Sequence, residues 1–332
     1  MEIGIWIGFV CMILGFLALD LGVFNKRDHV IGFRESLTWT AVWILVSIGF
    51  SGAVYVIYDQ HVAGFGSSGA LKSSGSEALL SYVSGYIVEY SLSVDNIFVI
   101  ALIVSAFRIP RRLQHRVLFW GIIGALLLRG MMIGLGAALL HEFSWMMYVF
   151  GGILLFTAGK MALSHADEHP DFAKSLTVRI ARRFFPVSPE LHGNHFVTRL
   201  PDGRKALTPL MIVLLLVETT DVLFAVDSIP AVFAVTRDPF LVFTSNVFAI
   251  LGLRSLYFAV AGLLGLFRYL KASLVVLMAF IGLKMLASDY VHLGAGVSLA
   301  IIGAILLAGV LASLVEQKRH PVVDSRLPPQ VD

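Results

Sequence analysis

The chain has 332 residues, of which 58% are hydrophobic and only 14% charged, and its mean hydropathy is +0.85. Soluble domains are about half apolar and about a quarter charged, so this composition excludes an ordinary water-soluble enzyme and indicates a polytopic membrane protein. The net charge of +3 comes with basic residues confined largely to short connections between apolar segments, a pattern of membrane orientation that argues against a nucleic-acid partner.

In chain order, hydropathy windows predict nine spans, at roughly 5–24, 38–58, 79–105, 116–139, 144–163, 208–234, 240–265, 271–289 and 295–315. The first lacks a basic n-region and ends at Asp20 and Asn25 with no small-residue cleavage site, so it reads as a retained helix. Cys11, the single cysteine, lies inside it and excludes an internal disulfide or a four-cysteine metal site. The connection over 59–78 is rich in Gly and Ser and is expected to be mobile. Between the fifth and sixth spans, 164–206 is too long for a simple loop. Within it, Ser175–Phe185 alternates basic and apolar residues with helical periodicity, as an amphipathic helix on an anionic leaflet would. His195–Thr208, with Pro201-Asp202-Gly203 at its centre, predicts a short hairpin. The tail after Glu316 carries three prolines and reads as disordered.

Loop charge sets an orientation. Lys26, Arg27, Arg34, Arg108, Arg111, Arg112, Arg116, the basic residues of 164–206, Arg268, Lys271, Lys318, Arg319 and Arg326 all fall on one side, against Lys72 and Arg237 on the other. The positive-inside rule then puts the N-terminus outside and the C-terminus in the cytoplasm.

Charges inside the spans form a pattern. Glu89, five residues, then Asp95-Asn96-Ile97 in the third span matches Asp221, five residues, then Asp227-Ser228-Ile229 in the sixth, with Glu218 just upstream. Arg129 follows the first set and Arg254 the second, each in the next span. Lys160 in Phe156-Thr157-Ala158-Gly159-Lys160 and Lys284 in Phe280-Ile281-Gly282-Leu283-Lys284 come next. Two copies of a three-helix unit, ordered acids, Arg, Lys, enter from opposite sides as an inverted-topology repeat. The predicted fold is therefore an all-α membrane bundle of about nine helices. Its parts are 1–78 (two helices and an outside loop), 79–163 (first repeat), 164–206 (cytoplasmic loop), 207–290 (second repeat) and 291–332 (last helix and tail).

Carboxylates at membrane depth are expensive and are functional candidates for that reason. Carboxylate, amide and hydroxyl oxygens without thiolate suit hard divalent ions. The predicted metal-binding set is Glu89, Asp95, Asn96, Glu218, Asp221, Asp227 and Ser228, with Arg129, Lys160, Arg254 and Lys284 compensating charge. On a straight helix Asp227 lies about a third of a turn from the face of Asp221, and Pro230 predicts a kink that would expose carbonyl ligands. The alternative reading of all these charges is a set of structural ion pairs. Asn246 and Asp20 are read as helix–helix hydrogen-bonding residues. The stretch His165–Asp171 and the pair His192/His195 match no metal spacing and read as solvated loop. Enzyme chemistry is not expected: His141-Glu142 lacks the second histidine of a zinc-protease helix, the glycine-rich context of an intramembrane aspartyl protease is absent, and no nucleotide-binding loop is present.

Glu89 with Val94-Asp95-Asn96, the string Phe224-Ala225-Val226-Asp227-Ser228-Ile229-Pro230-Ala231, and Thr244-Ser245-Asn246 with Ile250-Leu251-Gly252-Leu253-Arg254 closely resemble the TerC family of integral membrane proteins, and within it the Alx-type bacterial manganese exporters. The resemblance covers almost the whole chain. It implies a relative of the lysine-exporter superfamily that exports a divalent metal ion, chiefly Mn²⁺ as transported substrate, across a bacterial inner membrane, with no organic cofactor and with acidic sites at the positions named above. Proton coupling is the expected drive, since membrane carboxylates carry either ion. The alternatives are a membrane partner that binds Mn²⁺ and supports metalation of exported proteins, and an exporter of another divalent cation such as Ca²⁺. The expected partners are the metal ion and the lipid bilayer, with a homo-oligomer or an exported protein as further candidates.

Overall fold

The computed structural model describes residues 2–24, 32–67, 73–163, 172–200, 203–260, 270–290 and 293–319. Nine long helices account for most of them: α1 (Glu2–Phe24), α2 (Phe33–Asp59), α3 (Gly75–Ala106), α4 (Arg111–Glu142), α5 (Met146–Leu163), α7 (Pro209–Phe233), α8 (Pro239–Val260), α9 (Leu270–Leu286) and α10 (Ala295–Arg319). Between α5 and α7 stand a short helix, α6 (Leu176–Phe184), and an antiparallel pair, β1 (Val197–Arg199) with β2 (Lys205–Leu207). Eight of the nine long helices are long and apolar enough to cross a membrane; α9 has 17 described residues. The chain is thus a multi-pass, all-α membrane protein. Exposed Leu127, Met131 and Leu135 on α4 recur every fourth residue, an apolar stripe that in water would be an aggregation surface and in a bilayer faces acyl chains.

Local chemistry sets the helix ends. α3 begins four residues before the predicted span because Ser74 and Glu77 form a reciprocal capping box. Thr208 caps α7 ahead of Pro209, whose missing N–H costs nothing in the first turn. Asp238 does the same before Pro239: its Oδ1 accepts from the Phe240 and Leu241 N–H groups at 2.9 and 3.4 Å, and Tyr58 of α2 donates to its Oδ2 at 2.6 Å. Burial pushes the Asp238 carboxyl above the usual carboxylate range, against the pull of those hydrogen bonds. The expected hairpin forms, with Gly203 at a positive φ of 81° in its turn. In the Gly/Ser connection the described part includes a 3-10 turn at Val62–Gly64.

Packing follows the repeat. The first helix of each unit lies against the second helix of the other: α3 on α8, and α7 on α4. The third helices, α5 and α9, pack on each other. There Gly151 and Gly282 meet so closely that a Cβ on either would stand 3.0 Å from the other's carbonyl oxygen. α2 covers α3 and α8, and α10 covers α9 and α3. As a result 82% of the α8 span is buried, which makes it the most enclosed of the spans.

One expectation is corrected. Pro230 does not break α7, which runs as one helix from Pro209 to Phe233. The proline lies in the last turn, where few backbone bonds remain to be lost, and the Ala234 N–H still reaches the Pro230 carbonyl at 3.0 Å. Carbonyl ligands from an unwound α7 are therefore not part of the site.

Candidate ion-binding site

Among the described side chains, one arginine stands at the centre of the bundle. Arg129, on α4, is 1% exposed, and its guanidinium meets oxygens from three other helices. Its Nε and Nη2 donate to the two carboxylate oxygens of Asp221 on α7, at 3.0 and 2.7 Å. Its Nη1 donates to Glu89 Oε1 on α3, a carboxylate with 0% exposure. The same Nη1 lies 3.5 Å from Ser228 Oγ on α7 and 3.5 Å from Asn246 Oδ1 on α8. With the Asn96 amide oriented to donate to the Leu92 carbonyl, its oxygen accepts from Nη2 at 3.3 Å. Ser93 Oγ completes the shell by donating to Glu89 Oε1 at 3.3 Å.

A guanidinium at this depth persists because a planar donor fork matches two carboxylates and has no neutral form to retreat to. The same pairing sets the guanidinium charge against both carboxylates at once. Removing any partner leaves an uncompensated buried charge, which costs about 3–5 kcal/mol. Two polar atoms of this shell, Glu89 Oε2 and Asn246 Nδ2, have no hydrogen-bond partner. Buried polar atoms are normally satisfied, so unpaired ones inside a polar cluster mark capacity for another ligand.

Glu218 lies one turn before Asp221. Its Oε2 is buried and unpartnered, and its carboxylate presses on α4 where a Cβ at Gly124 would overlap it. Only glycine leaves that groove open. Glu89, Asp221 and Glu218 together carry two more negative charges than Arg129 offsets.

The remaining predicted residues are placed elsewhere. Asp227, half-buried, accepts a hydrogen bond from Thr157 Oγ1 of α5 at 2.8 Å, and Lys160 is the cation whose charge reaches it. Asp95, also half-buried, has Lys271 as its charged neighbour. Lys284 donates to Ser298 Oγ at 2.9 Å and to no carboxylate that the structure shows. The Arg254 side chain lies outside the described residues, as do His165–Asp171 and the side chain of Asp20. The predicted acids thus divide into a central group around Arg129 and flanking ones beside lysines. Among the described residues no three His, Cys, Asp or Glu side chains form a ready-made metal cluster, because Arg129 stands between Glu89 and Asp221. His192 bonds Ser188 Oγ at 3.0 Å, as a loop histidine would.

Sequence reasoning missed Thr157 and Gly124, whereas Asn246, read as a helix–helix hydrogen-bonding residue, accepts from Arg129 across α4 and α8. Asn246 was legible as a polar residue in the most enclosed helix. Thr157 carried no signal beyond a hydroxyl in an apolar span.

Comparison with known proteins agrees with this architecture. The model of the integral membrane protein TerC family matches residues 74–321. The "Uncharacterized membrane protein STKORF319" of Myxococcus xanthus is 46% identical over 326 residues, 98% of this chain and 96% of that protein. The "Putative membrane-bound redox modulator Alx" of Escherichia coli K12 is 41% identical over 317 residues, 95% and 96% of the two chains. An "Uncharacterized membrane protein" of Rickettsia bellii is 38% identical over 321 residues, 96% and 99%. No solved structure matches. The family model spans both sets of membrane carboxylates, and on these grounds the chain belongs to the TerC family of integral membrane proteins.

Proposed function

We propose that the protein is a secondary transporter that exports a divalent metal ion, Mn²⁺ in the first place, from the cytoplasm across a bacterial inner membrane. The reading rests above all on one observation: oxygens of five side chains on three helices converge on a single buried guanidinium near mid-span. Such a shell is chemically the coordination sphere of a hard cation, with the guanidinium as its tethered occupant. An incoming ion displaces Arg129 from Glu89 or Asp221 and takes over those oxygens, and the arginine returns when the ion leaves. The arginine therefore keeps the empty carriers from trapping a charge imbalance. The two-charge excess of Glu89, Asp221 and Glu218 over Arg129 equals one divalent ion, or two protons on the return step, which favours proton exchange. No catalytic role is assigned, and the basic loops support an outside N-terminus and a cytoplasmic C-terminus.

The test is Mn²⁺ flux into liposomes holding purified protein, with an imposed pH gradient. Flux that is driven by the gradient and lost in Glu89→Gln and Asp221→Asn supports the reading. Binding without flux turns the assignment to a membrane partner that supplies metal to exported proteins.

A further inference from the structure

The helix α6 has three faces where an ordinary amphipathic helix has two. Val178 and Ala181, 1% and 7% exposed, form the first, buried among Ile103 and Val104 of α3, Leu113 and Val117 of α4, and Leu210 and Val213 of α7. Packing on α7 holds α6 beside the first turns of that helix, where the cluster gathers the ends of α3 and α4 as well. Leu176, Ile180 and Phe184 form the second face, spaced by four residues and 67%, 48% and 71% exposed, and Phe185, 53% exposed, follows just beyond the helix end. Arg179, Arg182 and Arg183 form the third, all exposed, and no Asp or Glu lies between Phe172 and Pro189. At 100° per residue these faces point about 110–130° apart. A helix in solution has no use for an exposed Leu-Ile-Phe stripe. A helix lying flat against a bundle at the bilayer surface needs one side for the protein, one for acyl chains and one for headgroups, in this angular order.

We propose that α6 is an anionic-lipid binding element: Leu176, Ile180, Phe184 and Phe185 insert into the headgroup–acyl boundary, and the three arginines bind lipid phosphates. Its seat on α7 then couples local lipid charge to the helix that carries Leu210 and Val213. Three exposed arginines beside an apolar stripe select an anionic bilayer over a neutral one and over a soluble protein partner, and each arginine contributes about a five-fold preference near the surface.

The experiment uses the full chain with Cys11→Ala and a single spin label at Phe184→Cys, in nanodiscs of phosphatidylcholine with or without phosphatidylglycerol. Bound lipid is counted in parallel by native mass spectrometry. The expected result is a label reached by oxygen and shielded from a water-soluble nickel chelate, most strongly with the anionic lipid. Retained phosphatidylglycerol should fall when all three arginines become glutamine, and survive when they become lysine. A label open to the chelate in both bilayers overturns the proposal, as it would if a soluble protein were the natural occupant. So does anionic-lipid retention that is unchanged in the glutamine variant while the protein still elutes as a folded species.

Discussion

The carboxylates of this bundle are held in two different ways. At the centre, Glu89 and Asp221 are held by a cation, and one arginine serves both copies of the repeat. At the flanks, Asp227 is held by the Thr157 hydroxyl with a lysine nearby, and at the end of the bundle Asp238 is held by Tyr58 and backbone N–H groups. A cation removes the cost of burying the charge but has to be dislodged before anything else can bind. A hydroxyl leaves the charge largely uncompensated and gives way easily. The central pair is therefore the guarded one, and the flanking acids are the more easily released from their partners.

The sharpest way to break the comparison is Arg129→Met. It should cost about 3–5 kcal/mol by leaving two buried carboxylates unpaired, read as a collapse in thermal stability in detergent. Adding Glu89→Gln and Asp221→Asn should restore most of the stability without restoring Mn²⁺ flux. If the single variant is as stable as the parent, the central acids do not depend on the arginine. Asp95→Asn and Asp227→Asn come next, with flux reduced by about tenfold or more while the melting temperature moves little. Intact binding and flux in the pair would remove the flanking acids from the path. Gly124→Ala must move the Glu218 carboxylate, the flexible end of its side chain, out of its groove, at a cost of about 1 kcal/mol. Glu218→Ala in the same chain should recover that loss, measured by the same melting curve.

An effect of similar size is expected at Tyr58→Phe, about 1 kcal/mol. It has a sign in pH. Burial raises the Asp238 carboxyl in the folded chain, so the folded state holds its proton longer than the unfolded one. Its contribution to stability is full below the ordinary carboxylate range and declines as pH rises through the raised value. Losing the Tyr58 hydroxyl removes a donor to the ionised form and moves that decline upward. The stability deficit of Tyr58→Phe should thus grow with pH, and a deficit that is flat from acid to neutral would contradict the assignment.

Much of this was legible in the chain because the bilayer permits few solutions. Long apolar runs fix the spans, and the ordered landmarks of acid, Arg and Lys reveal the duplication. The shared arginine was half legible: Arg129 was expected to compensate charge, but a linear repeat suggests that each copy serves itself. The packing of both α3 and α4 on α7 brings Glu89 and Asp221 to one side chain. Pro230 misled because its effect depends on how many turns follow it, and here almost none do. The Asp238 cap had a readable signature in Asp238-Pro239, an acid before a first-turn proline. The Tyr58 partner, 180 residues away, had none.

The meeting of Gly151 and Gly282 has a mechanical meaning. Elsewhere in the bundle, side chains mesh like teeth, and relative movement of two helices would have to lift them out of register. Where α5 and α9 cross at the glycines, the main chains approach directly and the side chains of Leu155, Met285 and Leu286 close around the crossing, so the third helices of the two repeats lock together at a distance that any larger residue would prevent.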